Sequence, residues 1–147
     1  MIKQLVTAAV IGLAAQAALA QTSPVGLWKT IDDDGKTEKS LVRISESGGV
    51  LTGTIEKLFD AKSADNRCDK CTDDRKDKPI VGLQIIRGIK QDPDDKALWG
   101  GGEIVDPNNG KIYKARLKPI EGGKKLEMRG YVGTPMFGRT QTWVRVE

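Results

Sequence analysis

Past its first twenty residues the chain alternates apolar and polar side chains in short runs, the period of strands and not of helices. Leu41-Val42-Arg43-Ile44, Val50-Leu51-Thr52-Gly53-Thr54-Ile55 and Ile80-Val81-Gly82-Leu83-Gln84-Ile85-Ile86 are β-rich runs of strand length. So are Ile112-Tyr113-Lys114-Ala115-Arg116-Leu117, Leu126-Glu127-Met128-Arg129-Gly130-Tyr131-Val132 and Thr140-Gln141-Thr142-Trp143-Val144-Arg145-Val146. Residues 27–31 and 97–105 bring the count to about eight. Turn sequences separate the runs: Asp32-Asp33-Asp34-Gly35, Ser47-Gly48-Gly49, Asp92-Pro93-Asp94-Asp95, Asp106-Pro107-Asn108-Asn109-Gly110 and Glu121-Gly122-Gly123. The pattern predicts an all-β domain. Short antiparallel strands in sequence order close into an up-and-down barrel, which removes unpaired edges, although a two-sheet sandwich shares the pattern. Gly53, Gly82, Gly88, Gly100, Gly101, Gly102 and Gly130 fall inside strand-like runs, where glycine marks bulges and bends, and they favour the curved alternative.

The first twenty residues read differently. Lys3 supplies a short positive region, residues 5–13 and the alanines beyond them an apolar one, and Ala18-Leu19-Ala20 a small-x-small cleavage pattern before Gln21. The apolar stretch is interrupted by Gln16 and is short against the ~20 residues a membrane span requires. Residues 1–20 are therefore expected to be an export signal, with residues 21–147 a single periplasmic or secreted domain lacking any transmembrane segment. That mature chain of 147 − 20 = 127 residues is long enough to bury a core. Losing Lys3 leaves 23 basic against 20 acidic residues, a net +3 from the +4 of the whole chain. So small and dispersed an excess argues against a nucleic-acid partner.

One connection is long: residues 60–79 are polar, heavily charged and hold Cys68 and Cys71, the two cysteines of the chain. Loops of such length are functional or need tying down. In an oxidising compartment a Cys-x-x-Cys pair ends as a disulfide. Redox catalysis requires a depressed thiol pKa, usually at a helix N-terminus in a βαβ setting. Asp69, Asp73 and Asp74 raise a thiol pKa, Arg67 and Lys70 oppose them, and no βαβ pattern follows. The chain contains no histidine, so a four-ligand zinc site would have to be completed by carboxylates, and the haem-attachment position after the second cysteine is Thr72. The expectation is a structural Cys68–Cys71 clip, with no metal and no cofactor.

Missing histidine also removes the commonest general base. The acidic residues concentrate in turns, where they serve turn geometry, and Asp32-Asp33-Asp34-Gly35 lacks EF-hand spacing, with Leu41 at the closing position. No catalytic residue is assigned, and an enzyme is the less favoured class. Lys111, Lys114, Arg116, Lys118 and Arg129 form a basic tract over two neighbouring strands, and alternation puts Lys114, Arg116 and Lys118 opposite Tyr113, Ala115 and Leu117. That tract is either a solvated outer face or a patch for an anionic ligand or surface. Met136 and Phe137 sit among turn formers in Gly133-Thr134-Pro135-Met136-Phe137-Gly138, as an exposed tip or as a lid folded on the core.

Gly26-Leu27-Trp28-Lys29, Lys78-Pro79-Ile80-Val81-Gly82-Leu83 and Trp99-Gly100-Gly101-Gly102-Glu103-Ile104-Val105-Asp106-Pro107 together resemble one family. Asn109-Gly110-Lys111-Ile112-Tyr113, residues 126–133 and Gly138-Arg139-Thr140-Gln141-Thr142-Trp143 belong to the same pattern. The chain is similar, over essentially all of residues 21–147, to the small exported bacterial proteins of domain-of-unknown-function family 2147. The resemblance implies a lipocalin-like barrel and an exported location, and no reaction. Gly26-x-Trp28 is similar to the lipocalin opening motif, which implies a cation stacked on Trp28, supplied by Arg139 or Arg145. The expectation is a non-enzymatic periplasmic barrel for a small apolar or amphipathic ligand, with Trp28, Trp99, Arg129, Tyr131, Met136 and Phe137 as contacts. The alternatives are an envelope module with a protein partner and, behind it, a thiol-redox protein using Cys68 and Cys71.

Overall fold

The computed structural model describes residues 23–60 and 66–147. The expected export signal, with cleavage between Ala20 and Gln21, lies outside the described residues. Eight antiparallel strands run in sequence order: β1 Gly26–Ile31, β2 Glu38–Ser47, β3 Val50–Leu58, β4 Gln84–Gln91, β5 Trp99–Val105, β6 Ile112–Ile120, β7 Lys125–Tyr131 and β8 Gly138–Arg145. Each pairs with the next, and β8 returns to β1 to close a barrel. Closure rests on Trp28 facing Arg145 and Lys29 facing Val144, extended by Leu27 and Val146 bonding backbone to backbone at 2.8 Å. The barrel is thus chosen over the sandwich, the first and last strands meeting along a short seam.

Period-two alternation sets the inside. Ser40, Val42 and Ile44 on β2, Leu51, Gly53 and Ile55 on β3, and Ala115 and Leu117 on β6 are buried while their neighbours face outward. With Trp28, Ile86, Ile89, Leu126 and Trp143 they form one continuous core. The strand pattern bends where glycine permits it. At Gly102 a β-carbon would sit 2.2 Å from the Arg87 carbonyl oxygen, so β4 and β5 approach more closely there than any side chain allows. The pairing of β5 with β6 shifts between Trp99 and Gly102. Among the described residues the only helical segment is the 3-10 turn Glu121–Gly123.

One expected strand is displaced. The run Ile80 to Leu83 is a turn, and β4 begins at Gln84 and continues through Gln91. Leu83 donates back to the Ile80 carbonyl at 3.0 Å and Gly82 to that of Ile55 at 2.7 Å, so this β-rich segment folds onto the barrel end. Ile80 and Leu83 are buried there as part of the core. Burial, not strand pairing, is what their apolar side chains serve.

Candidate functional site: a cavity at the open end of the barrel

In an up-and-down barrel alternate connections lie at the same end. Residues 32–37, 59–60, 66–83, 106–111 and 132–137 surround one end; the short turns and the 3-10 segment close the other. At the closed end Trp28 is fully buried, donates from Nε1 to the Pro24 carbonyl at 2.7 Å, and carries the Arg145 guanidinium 4.3 Å above its ring. Arg145 also donates to the carbonyls of Val25 at 2.8 Å and Ser23 at 2.7 Å, and burial lowers its pKa. Of the two candidate cations, Arg145 is the one stacked on Trp28.

The open end leads into a cavity of about 390 Å³. Its deeper wall is apolar, with Ile55, Ile85, Ile104, Met128 and Trp143; its rim carries Asp32, Asp33, Glu38, Asp60 and Asp106 against Lys39 and Arg139. A hydrogen-bonded rail runs down one side. Arg139, Gln141 and Trp143 share the inward face of β8 by alternation. Trp143 Nε1 donates to Gln141 Oε1 at 2.9 Å, Gln141 Nε2 donates to Asp33 Oδ1 at 2.8 Å, and Arg139 pairs with Asp33 Oδ2 at 2.9 Å. Across the cavity wall the Thr30 and Ser40 hydroxyls share a hydrogen bond of 2.7 Å. Such satisfied polar groups beside an apolar floor can orient an amphipathic molecule. In the adjacent turn, the Thr37 hydroxyl and the backbone amides of Thr37 and Lys36 hold the Asp34 carboxyl below its usual range.

The long connection is clipped and fastened to the barrel wall. Cys68 and Cys71 form a disulfide, and both are buried. The clip rests on the β5–β6 turn: at Gly110, with φ +73°, a β-carbon would lie 1.8 Å from the Lys70 carbonyl oxygen. Downstream, Arg75 is 1 % exposed and is held by Asp73 Oδ2 at 2.6 Å, the Gln84 carbonyl at 3.0 Å and Glu103 at 3.5 Å. The Arg75 guanidinium draws the Asp73 carboxyl down to about 2. Arg87 on β4 grips Asp74 through two 2.9 Å bonds, which raises the arginine pKa and lowers that of Asp74. Asp73 and Asp74 thus serve as partners for arginines. Only Asp60, Asn66 and Ile80 of the described part of this connection reach the cavity wall.

None of the six residues expected to contact a ligand lines this cavity. Trp28 forms the closed end, and Trp99, at the start of β5, is buried near it. Arg129 and Tyr131 lie on β7 in register with Arg116 and Lys114, on the strand face opposite Met128 and Gly130. Arg129 donates from Nε to the Pro135 carbonyl at 2.6 Å and from an Nη to the Thr140 hydroxyl at 2.8 Å. Met136 and Phe137 stand out in solvent at 80 % and 68 % exposure, so the exposed tip prevails over the folded lid. Other cavity residues carried one weak signal: Thr30, Ser40 and Gln141 are polar and each stands two positions from a buried apolar residue, Trp28, Val42 and Trp143, with a charged residue two positions away on the other side.

Comparison with known proteins bears on the fold. The model of a family described as "Uncharacterized protein conserved in bacteria (DUF2147)" matches residues 26–145. Among solved structures the chain is similar to protein HP1028 from the human pathogen Helicobacter pylori, described as belonging to the lipocalin family. The TM-score is 0.72 at 19 % sequence identity, over 85 % of this chain and 84 % of that one. No curated protein matches. Among the described residues no helix is long and apolar enough to cross a membrane.

Proposed function

Because this chain belongs to the bacterial family DUF2147 and folds as a lipocalin-like barrel, we propose that it is a periplasmic, non-enzymatic carrier of one small amphipathic molecule. The observation that carries this reading is the cavity of about 390 Å³, apolar in its depth and polar at its rim. A site of that size takes a small ligand, since such pockets span roughly 300–1,000 Å³. Ile104, Met128 and Trp143 would receive its apolar part. The rim, richer in carboxylates than in cations, suits a head group that is neutral and hydrogen-bonding, or cationic. Export is supported by the positive, apolar and small-x-small order of residues 1–20.

Native mass spectrometry of protein purified from the periplasm, joined to titration with a fluorescent amphipathic probe, tests the reading. An adduct released on denaturation, or saturable probe uptake, is expected. A bare mass with no probe uptake would sink it. The thiol-redox alternative is weakened by burial of both sulfur-bearing residues under the β5–β6 turn, because thiol exchange requires access.

A further inference from the structure

The outer face of β6 and β7 sets Lys114, Arg116, Lys118 and Arg129 against a single carboxylate, Glu127, the register partner of Lys118, which forms no ion pair among the described residues. Lys114, Arg116 and Lys118 point away from the core on β6, and Arg129 lies directly opposite Arg116 on β7. Like charges facing each other across a strand pair are destabilising. Among the described residues no carboxylate lies within ion-pairing distance of Lys111, Lys114, Arg116, Lys118 or Arg129, whereas Arg43, Arg75, Arg87 and Arg139 are each paired. Glu103, the register partner of Lys114, is turned to Arg75 at 3.5 Å.

At the open end of the same face the β7–β8 connection presents Val132, Met136 and Phe137 at 64 %, 80 % and 68 % exposure, with Ile112 beside them at 41 %. This tip is braced. Phe137 donates to the Thr134 carbonyl at 3.0 Å, Val132 to that of Phe137 at 3.1 Å, and Arg129 to those of Pro135 and Met136. Three large apolar side chains are thereby held in water on a protruding hairpin, immediately above a row of unpaired cations.

We propose that this face docks on the surface of an anionic phospholipid bilayer, with Val132, Met136 and Phe137 entering the interfacial layer and Lys111, Lys114 and Arg116 engaging lipid phosphates. Charge complementarity and the layered order, apolar tip first and cations behind it, match the profile of such a surface. A convex tip without a surrounding rim also suits a fluid surface better than a shaped protein interface, whose anchors pack as a central patch. The carboxylates of Asp32, Asp33 and Asp34 on the β1–β2 connection tilt contact away from β1 and toward β6 and β7. Docking in this pose sets the cavity mouth beside the bilayer, yet the inference does not depend on what the cavity holds.

Co-sedimentation of the mature protein with phosphatidylcholine vesicles, with and without phosphatidylglycerol, is the test. Uptake is expected on the anionic vesicles alone and should fall as salt rises. Met136→Ser with Phe137→Ser should weaken partitioning about tenfold or more, since burying one such side chain is worth roughly 1.5–3 kcal/mol, about ten- to a hundredfold. Lys114→Gln with Arg116→Gln should weaken it by a similar factor, at about 1 kcal/mol per charge near the surface. All four side chains lie outside the core, and Arg116→Gln relieves the like-charge pair with Arg129, so urea midpoints should not fall and separate docking from folding. Absent partitioning, equal uptake on neutral vesicles, or unchanged uptake by both double variants overturns the proposal. Capture on protein-bearing membranes but not on bare vesicles would assign the surface to a protein, and likewise overturns it.

Discussion

The guanidinium of Arg145 lies 4.3 Å above the ring of Trp28, joining the last strand to the first at the closed end of the barrel. The same side chain donates to the carbonyls of Ser23 and Val25, and a further bond from Nε reaches Gly123. One arginine thus fastens the entering chain, both closing strands and the 3-10 turn. Arg145→Ala is expected to destabilise the protein by about 3 kcal/mol, from the lost cation–π contact and the carbonyls left without a donor. Arg145→Lys should restore less than half, because an ammonium cannot reach three carbonyls while stacked. Urea unfolding measures both; equal stability of all three proteins would remove Arg145 as the fastener.

Gly130 faces the cavity, and a β-carbon there would lie 3.6 Å from Tyr113 Cβ and 3.8 Å from Ile104 Cγ2, ordinary contacts with room beyond. Gly130→Leu should therefore fill the cavity and not split the barrel. Probe uptake is expected to fall at least tenfold while stability changes by less than about 1 kcal/mol, strand glycine being itself unfavourable by a similar amount. Undiminished uptake would place the ligand elsewhere.

Acid should loosen the long connection before it unfolds the barrel. The Asp73 carboxyl is depressed from 3.8 to about 2 by Arg75. A depressed carboxylate contributes stability that is present above its unfolded value and is lost as pH falls through its folded one, so the window lies between about pH 4 and pH 2. Protonation there leaves the Arg75 guanidinium, 1 % exposed, without its closest anion. Protection factors of the described amides from Asn66 onward to Ile80, taken against the intrinsic exchange rate at each pH, should fall in that window while those of β2 and β3 are kept. In Asp73→Asn the loosening should already be present at neutral pH. Protection factors in this connection that stay constant with pH and are equal in the two proteins would show that the pair does not hold it.

Replacing both Cys68 and Cys71 by serine should cost about 2 kcal/mol, the chain-entropy value for so short a loop, and leave the closed barrel intact. The native disulfide should resist alkylation under mild reductant, since Cys68 and Cys71 are buried and Lys70 is packed against Gly110. Intact mass after iodoacetamide treatment reads this directly. Rapid labelling of the folded protein would revive the thiol-redox reading.

Most of the strands were legible because a half-buried strand writes its two faces into alternate positions, and the turns between them carry Asp, Asn, Pro and Gly. The run Ile80 to Leu83 misled because apolar, β-branched residues read alike whether they pair in a sheet or plug its end. The strand's true continuation, Arg87-Gly88-Ile89-Lys90, is broken up by charge and glycine. Residue type misled in the cavity as well. Trp28, Trp99, Met136 and Phe137 stood out in the sequence, yet they lie at the closed end and the tip, while the cavity wall combines Tyr113, Met128 and Trp143 with the polar Thr30, Ser40 and Gln141. Alternation says which face a residue occupies but not how deep along the barrel it lies.

By itself, then, the sequence determined the strand order, the inward and outward faces and the pairing of two cysteines three positions apart. All of these follow from local periodicity and short-range geometry. Only the tertiary structure decided that the sheet closes, that Arg145 and not Arg139 stacks on Trp28, and that Arg139 instead meets Asp33 at the mouth. It also decided that the cations of β6 and β7 share one unpaired face below an exposed apolar tip. Those relationships depend on strand register and closure, which bring together residues as far apart as Trp28 and Arg145 and are set by the packing of the whole core, not by any one segment.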